Sequence, residues 1–178
     1  EGVADDSVSM IGRQAILNEQ REVFGYELFD RNTAAAAHTA ASDAALLFNA
    51  LSYAGTEALV GRKLVFINCT HESLVGGHLE LIHPEKVVLE IPVMAETATA
   101  EEIQSRLPIF EALRQRGFRL AFDQNLLRRA YASWLPMASF IKLDMLTFPL
   151  ANAEALVKFA RTHTTAQIVA EKVETKEQ

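Results

Sequence analysis

Leu64-Val65-Phe66-Ile67-Asn68 is a run of four apolar residues that ends at a polar one. Its length and its β-branched and aromatic content are typical of a β-strand that is buried on both faces. Strands of this kind belong to parallel sheets that are covered by helices. The stretch therefore predicts a parallel strand with a polar side chain at its carboxyl end.

The same pattern recurs along the chain at intervals of about one βα unit. Each further apolar run ends at an acidic residue, which places one carboxylate at the end of each of these four predicted strands. The runs are Val87-Val88-Leu89 before Glu90, Leu120-Ala121-Phe122 before Asp123, Phe140-Ile141 with Leu143 before Asp144, and Ile168-Val169-Ala170 before Glu171.

Helix signals lie between the runs. Ser42 or Asp43 is predicted to cap a first helix that stops at Gly55. Thr99, with Glu102 three residues later, has the spacing of a capping box. Apolar residues at helical spacing, Ile103, Leu107, Phe110 and Leu113, follow that box, and Gly117 comes after the last predicted turn.

A third helix is predicted to be capped by Asn152, with Leu156, Val157 and Phe159 facing inward. Strands and helices therefore alternate along most of the chain. This alternation predicts βα units with right-handed crossovers and an α/β fold.

The beginning of the chain differs from this pattern. Residues 10–17 and 22–29 are two strand-like stretches separated by four residues, which predicts an antiparallel hairpin. A hairpin followed by repeated βα units favours a TIM-like (β/α) barrel with an antiparallel first strand. A doubly wound open sheet is the alternative, because periodicity alone does not show closure.

In a βα barrel the carboxyl ends of the parallel strands meet at one mouth, where active sites are built. Clustered carboxylates need a counter-charge, so either their pKa values rise or a cation binds. Oxygen ligands suit Mg²⁺, Mn²⁺ or Ca²⁺. Lys142 shares a strand face with Asp144 and is a candidate to hold an attacking water or a phosphate oxygen. The residues predicted to converge are Glu27, Asn68, Glu90, Asp123, Asp144 and Glu171.

A structural role is the alternative for each of these residues. Asn68 or Asp123 alone has about even odds of capping the helix that follows its strand. Lys142 and Asp144 could pair with each other, and Glu27 could face solvent from an edge hairpin. Six such residues at equivalent places in successive units favour an oxygen-ligand metal or phosphate site.

The composition restricts the class of protein. The chain has 178 residues and a formal net charge of −6, which argues against binding to nucleic-acid polymers. No apolar run approaches the length of a membrane-spanning helix, and the acidic first residues do not resemble a secretory signal. A cytoplasmic location and no membrane contact are expected. The chain begins without Met, so a trimmed piece of a longer protein is also expected.

The single cysteine, Cys69, cannot form an internal disulfide and is predicted to be a small core residue. The five histidines lack zinc-site spacing and are predicted to lie at the surface or at helix ends. Trp134 and Phe148 are predicted to pack helices against the barrel. One domain over residues 10–178 is expected, after a flexible tail over residues 1–9.

Several stretches match known motifs in the order in which they occur. They are Arg13-Gln14-Ala15-Ile16-Leu17 (an opening Q-P-I strand), Gly25-Tyr26-Glu27-Leu28-Phe29-Asp30-Arg31 (G-[FY]-E-A-L-x-R), Phe66-Ile67-Asn68 (F-x-N), Val88-Leu89-Glu90-Ile91 (L-E-[IL]-T-E), Phe122-Asp123-Gln124 (D-D-F-G), Ile141-Lys142-Leu143-Asp144 (I-K-[IL]-D) and Ala170-Glu171-Lys172-Val173-Glu174-Thr175 (A-E-G-V-E-T). Together they resemble the EAL domains, which are bacterial cyclic di-GMP phosphodiesterases. The A-E-K-V-E-T and Y-E-L-F variants resemble the degenerate EAL-like half of EAL–HDOD signalling proteins.

The resemblance implies a role for each matching residue. Mg²⁺ or Mn²⁺ would be held by Glu27, Asn68, Glu90 and Asp123, with Glu171 in the metal and water network. Lys142 would contact the nucleophilic water, so Glu27, Lys142 and Glu171 are the implied catalytic residues. The implied ligand-binding residues are Gln14, Arg31 and Asp144, and Glu174 would brace a neighbouring loop. Two metal ions would support attack on a phosphodiester, with linear pGpG as product.

The chain departs from the family at three positions near the implied site. Gln124 replaces the second acid of D-D, and a neutral amide is a poor ligand for a second metal ion. Asn125 stands where the F-G of the following loop begins. Val93 replaces the acid of T-E, which anchors a loop in the family.

The resemblance also implies a barrel truncated before its last helix and strand, and therefore one that is incompletely closed, swapped or dimerised. Two functional hypotheses follow. The degenerate positions favour a regulatory module that binds cyclic di-GMP or contacts an adjoining HDOD domain or another partner protein, in which case no metal cofactor is needed. The surviving acids instead favour an active Mg²⁺- or Mn²⁺-dependent phosphodiesterase. A homodimer is expected from the family alone.

Overall fold

The computed structural model describes residues 11–30, 61, 63–147 and 150–172. Several predictions concern other residues and lie outside this described part of the chain. These are the tail over residues 1–9, the first helix after Asp43, the ligand-binding role of Arg31, the packing of Phe148 and the bracing role of Glu174.

The predicted strands are confirmed, with ends that differ from the predictions by a residue at most. Each apolar run forms one strand, and each strand from the third onward ends at the predicted polar residue. The strands are β1 (Ile11–Leu17), β2 (Val23–Asp30), β3 (Leu64–Asn68), β4 (Val87–Glu90), β5 (Arg119–Asp123), β6 (Phe140–Asp144) and β7 (Gln167–Glu171).

These strands form a closed barrel in chain order. β1 is antiparallel to both of its neighbours, β2 and β7, whereas the pairs from β2–β3 to β6–β7 are parallel. The barrel closes where Ile16 pairs with Glu171 and Leu17 pairs with Ala170. The open-sheet alternative is therefore excluded, and the expectation of incomplete closure is wrong, because β7 reaches β1 directly.

Helices lie between the parallel strands from β3 onward. The described α-helices are α1 (Ala100–Gln104), α2 (Leu107–Gln115) and α3 (Leu150–His163). The described part of the chain also has 3₁₀ helices at Gly77–Leu81, Pro84–Lys86, Gln124–Leu127 and Arg129–Met137. None of the described helices has the length and hydropathy that crossing a lipid bilayer requires.

The capping box at the start of α1 is confirmed. The Thr99 side chain accepts a hydrogen bond from the Glu102 backbone N–H, and the Glu102 carboxylate accepts one from the Thr99 backbone N–H. The single helix expected after it is two helices, because a turn at residues 105–106 precedes α2 and Pro108 occupies its first turn. Gly117 ends this region with a φ of +98°, a conformation that glycine adopts without steric cost.

Two predictions about α3 are wrong. The helix begins at Leu150, so Asn152 lies within its first turn instead of capping it. Phe159 is 46% exposed, whereas Ala153 and Ala160 form the buried contact. The buried face of α3 therefore carries small side chains, and Phe159 lies outside it.

The apolar core has two layers. Inside the barrel, inward-facing side chains of the strands pack together: Ile16, Phe66, Val88, Ala121, Phe140 and Val169. Outside, the opposite strand faces pack against the helices, with buried Cys69 among them, as predicted. Trp134 is fully buried there and donates a hydrogen bond from Nε1 to the Ile103 carbonyl at 2.9 Å, which confirms its predicted packing role.

Candidate functional site

The alternation of side chains along each strand decides where the polar residues lie. Residues two positions apart on a strand face the same side of the sheet. On β3, β4, β5 and β7 the predicted strand-end residue lies two positions after an inward-facing core residue. On β6 the residue in that place is Lys142. The pairs are Phe66 and Asn68, Val88 and Glu90, Ala121 and Asp123, Phe140 and Lys142, and Val169 and Glu171. The polar side chains therefore form the next layer above the inner core.

A cavity of about 500 Å³ opens at this end of the barrel. Its walls carry the side chains that the strand ends bring together, as predicted for a barrel mouth. Those of the predicted residues that line it are Asn68, Glu90, Asp123, Gln124, Lys142, Asp144 and Glu171.

Lys142 lies at the centre of this cluster. Its Nζ is 2.7 Å from Glu27 Oε2, 2.7 Å from Glu90 Oε2 and 3.2 Å from Glu171 Oε1. All four side chains are nearly buried, with 8–12% of their surface exposed. One ammonium group thus joins carboxylates from three strands, and the alternative in which Lys142 pairs with Asp144 is wrong.

Burial and charge set the protonation of the cluster. Burial alone would lower the pKa of Lys142, but the charges of Glu90, Glu27 and Glu171 outweigh it and raise that pKa well above its usual range. Burial raises the pKa of Glu90 to about 7 and, together with a hydrogen bond to Glu27, raises the pKa of Glu171 to about 8. Two of the three carboxyl groups can therefore carry protons near neutral pH.

Glu27 is the carboxylate that stays ionised. Burial raises its pKa, but the hydrogen bond from Glu171 and the charge of Lys142 outweigh burial and lower the pKa to about 2. Its Oε1 also accepts a hydrogen bond from Asn68 Nδ2. Glu27 therefore faces the interior of the site and not solvent, and Asn68 binds it, which is not the capping contact considered as the alternative.

Asp123 does act as a cap. Its Oδ1 accepts a hydrogen bond from the Asn125 backbone N–H at 2.8 Å, at the start of the 3₁₀ helix Gln124–Leu127. Asp123 also lines the cavity, so the structural and the functional interpretation of this residue are compatible. Gln14 lies opposite Glu27 in the β1–β2 ladder, and its side chain is half-buried.

The positions that depart from the family lie on or beside the cavity wall. Gln124 lines the cavity, and its Oε1 is buried without a hydrogen-bond partner in the described structure. Asn125 is half-buried beside it. Val93 packs against the outer apolar layer, so this position offers hydrophobic contact in place of an acidic anchor.

Sequence reasoning missed the residues that hold the segment after β4. Nε2 of His71 lies 2.8 Å from the Pro92 carbonyl oxygen, and the Tyr131 hydroxyl contacts both the backbone N–H and the carbonyl of Met94. The prediction of a surface or helix-end role is wrong for His71, because its ring is half-buried near Trp134. The sequence carried no signal for this contact, since it joins loops that are distant along the chain.

The donor set partly fits a metal ion. Asn68, Glu90 and Asp123 offer oxygen atoms of the type that Mg²⁺ and Mn²⁺ prefer, and the buried Glu90 Oε1 and Glu171 Oε2 have no hydrogen-bond partner in the described structure. However, no three acidic, histidine or cysteine side chains among the described residues are arranged as a metal centre. The neutral Gln124 does not fit a second cation.

Comparison with curated proteins gives one informative relative, and no protein-family model matches the chain. The chain is 32% identical over 178 residues to the cyclic di-GMP phosphodiesterase CdgJ of Vibrio cholerae. The aligned region covers 94% of this chain and 39% of that protein. The chain thus spans about two fifths of the length of this relative.

Solved structures share the fold. BlrP1 of Klebsiella pneumoniae, in complex with manganese and cyclic di-GMP, matches with a TM-score of 0.64 and 21% identity over 94% of this chain and 50% of that chain. The EAL domain of DcpA from Mycobacterium smegmatis matches with a TM-score of 0.61 and 21% identity over 94% of this chain and 81% of that chain. At these identities the likeness describes the fold.

Proposed function

We propose that this chain, which resembles EAL domains in its fold and its sequence motifs, is a cyclic di-GMP signalling module that binds the dinucleotide at the barrel mouth and regulates without efficient hydrolysis. The observation that carries the proposal is the pairing of Lys142 with Glu27, Glu90 and Glu171. Together with protons on Glu90 and Glu171, this pairing balances the charge of the cluster within the protein, so dinucleotide binding does not require a metal ion.

The geometry supports a ligand of dinucleotide size. The cavity of about 500 Å³ lies within the range of known small-molecule sites. Asp144 lines it, and Gln14 lies next to Glu27 on the neighbouring strand. With Arg31, these are the residues that we propose contact the dinucleotide.

The oxygen atoms of the acidic and amide side chains at the cavity are suitable ligands for one divalent cation. Mg²⁺ or Mn²⁺, when bound, would polarise a phosphodiester oxygen and lower the pKa of a coordinated water. Glu27, Asn68, Glu90, Asp123 and Glu171 are the residues that we propose would hold it. The ammonium group of Lys142 would then provide positive charge and hydrogen-bond donors within the site. Glu171 would hold or release a proton at its carboxyl group.

The substituted positions argue against efficient hydrolysis. Gln124 offers an uncharged amide where the family carries an acid, so a second cation would lose an anionic ligand. In a two-metal mechanism both ions stabilise the attacking and leaving oxygens. Loss of one ion therefore removes most of the rate enhancement. Asn125 and Val93 alter the two loops that flank the same side of the cavity.

Calorimetric titration with cyclic di-GMP tests this proposal. We expect binding in EDTA and in Mn²⁺ with affinities that agree within about threefold, because Lys142 already pairs with the acidic cluster. A factor of about three in affinity corresponds to less than about 1 kcal/mol. We also expect no pGpG after incubation with Mn²⁺. Absence of heat and of a thermal shift in both buffers would leave contact with a protein partner as the function.

An active phosphodiesterase is the second candidate, because the motif acids Glu27, Glu90, Asp123 and Glu171 are present and lie at one barrel mouth around Lys142. Production of pGpG with Mn²⁺ that Glu27→Ala abolishes would establish this activity and overturn the regulatory proposal. If Gln124→Asp restores the missing acid and still gives no product, the catalytic candidate fails. An adjoining HDOD domain, another partner protein or a second copy of the chain is the regulatory contact that we propose.

A further inference from the structure

Lys172 leaves strand β7 in a backbone conformation that is unusual for a residue with a side chain. Its φ is +56°, in the left-handed region that glycine enters freely and other residues enter at a steric cost. Among the described non-glycine residues, only Arg21 in the β1–β2 turn has a positive φ as well. Such conformations persist where the surrounding structure maintains them, often at functional sites.

The side chain of Lys172 reaches the cavity wall. Its Nζ lies 2.8 Å from Oδ2 of Asp144, which lines the cavity. The Lys172 side chain is 40% exposed and that of Asp144 is 23% exposed. The ammonium group therefore lies at the rim of the mouth, where an entering molecule can contact it.

The described wall of the cavity is otherwise acidic. Glu90, Asp123, Asp144 and Glu171 line it, and Lys142 is the one lysine or arginine among the lining residues that the structure describes. The Lys142 ammonium already contacts three carboxylates. An anionic ligand would therefore meet carboxylates at the wall and a cation whose charge is already balanced.

Lys172 supplies the cation that this wall lacks. Within the described residues its ammonium forms an ion pair with Asp144 alone, and that pair is accessible to solvent. Charge-assisted contacts between an ammonium group and phosphate oxygens are strong. We infer that Lys172 is a ligand-binding residue that contacts a phosphate group of the cyclic dinucleotide at the rim. This inference rests on the proposed function, since it concerns the same cavity.

Three substitutions at this position separate charge from backbone strain. Lys172→Met removes the charge and keeps the strain, Lys172→Gly removes both, and Lys172→Arg keeps the charge. We expect the Met and Gly variants to bind cyclic di-GMP about tenfold more weakly in calorimetry, and the Arg variant to stay within about threefold of wild type. The loss should shrink as salt increases, because the pair is exposed.

Thermal melting and a matched lysine provide the controls. Lys172→Gly should melt no lower than the wild-type chain, since glycine adopts the left-handed conformation without cost. Lys158→Met, at an exposed position of α3, should leave the affinity unchanged. The Gly variant is expected to fold even if the Met variant does not. Its affinity for cyclic di-GMP can therefore be compared with that of wild type in either case.

The outcomes distinguish this inference from the proposed function. If the wild-type chain binds cyclic di-GMP and the Gly and Met variants bind it equally well, Lys172 is only structural and the inference is overturned, while the proposed function stands. If the wild-type chain does not bind at any salt concentration, both are overturned. Weaker binding by Gly and Met, with Arg close to wild type, supports the inference.

Discussion

Lys142 shows at the residue scale how one cation holds an acidic cluster together. Its ammonium contacts Glu27, Glu90 and Glu171 within the barrel mouth. Burial of charge is costly unless each charge is paired, and removal of one partner leaves the others uncompensated. The free energy of unfolding should therefore depend on this side chain more than on any exposed lysine.

Lys142→Met should destabilise the chain by about 3 kcal/mol at pH 8.5, the usual cost of breaking a buried pair. The loss should be smaller at pH 6, because the raised pKa values of Glu90 and Glu171 allow both carboxyl groups to be protonated there. Chemical denaturation at the two pH values measures the difference. Lys158→Met is the matched control, and an equal loss at both pH values would contradict the prediction.

Glu171 gives a second prediction, on the pH dependence of stability. Its pKa rises from 4.5 to about 8 on folding, chiefly through burial, so the folded state binds its proton more tightly than the unfolded state does. This group therefore lowers stability as pH rises from about 4.5 to about 8. Glu171→Gln should remove that slope, which is at most about 1.4 kcal/mol per pH unit.

Denaturation in metal-free buffer between pH 5 and pH 9 measures this effect. The stability of Glu171→Gln relative to wild type should increase with pH, since glutamine cannot ionise. Parallel stability curves for the two proteins would show that Glu171 is ionised across the whole range.

At the scale of elements, the alternation of side chains on each strand connects the inner core to the site. Phe66 and Asn68 on β3, like Val88 and Glu90 on β4, place an apolar side chain and a polar one on the same inward face. A shift of one residue in register would turn both out of the barrel. Packing of the inner core therefore also positions the polar layer above it.

Gly25 on β2 leaves no space for a side chain beside β3, and Gly25→Ala tests this contact. A Cβ at this position would lie 2.8 Å from the Leu64 carbonyl oxygen and 2.9 Å from Phe66 Cε2. We expect a loss of about 1–3 kcal/mol, as for other overpacked cores. Gly77→Ala is the control, because a Cβ there meets no atom within 4 Å. Similar unfolding free energies for both variants would contradict the prediction.

At the scale of the whole molecule, closure of the barrel brings β1 and β7 together. The seam between them consists of two residue pairs, whereas β3 and β4 are joined by four. An exposed ion pair between Arg161 and Glu19 links α3 to the β1–β2 turn near this seam, and such pairs add little stability. The seam is therefore the least supported part of the described barrel.

Amide hydrogen exchange should reveal this difference. We expect the backbone amides of Leu17 and Ala170 to exchange at least tenfold faster than those of Ile67 and Leu89, because fewer ladder bonds must open. Mass spectrometry or NMR of the native chain measures the rates. Uniform protection around the barrel would show that the seam is as stable as the other strand pairs.

Local patterns were sufficient to predict the strands, the hairpin and the capping box at Thr99. Each depends on residues that are near one another in sequence, such as an apolar run or a side-chain spacing of three. The start of α3 and the exposure of Phe159 were mispredicted. The contacts of the folded chain select which face of α3 is buried; that face carries Ala153 and Ala160, and a helical pattern of large apolar residues does not show this.

The sequence by itself determined that acidic and amide side chains would stand at the carboxyl ends of successive buried strands, because side-chain alternation and apolar runs are local properties. Only the tertiary structure decided which of them share a proton and which share a cation. Glu27 and Lys142 are 115 residues apart, and their contact exists because the barrel closes. Burial and distance between strands then set the charge of each group, and neither quantity can be obtained from spacing along the chain.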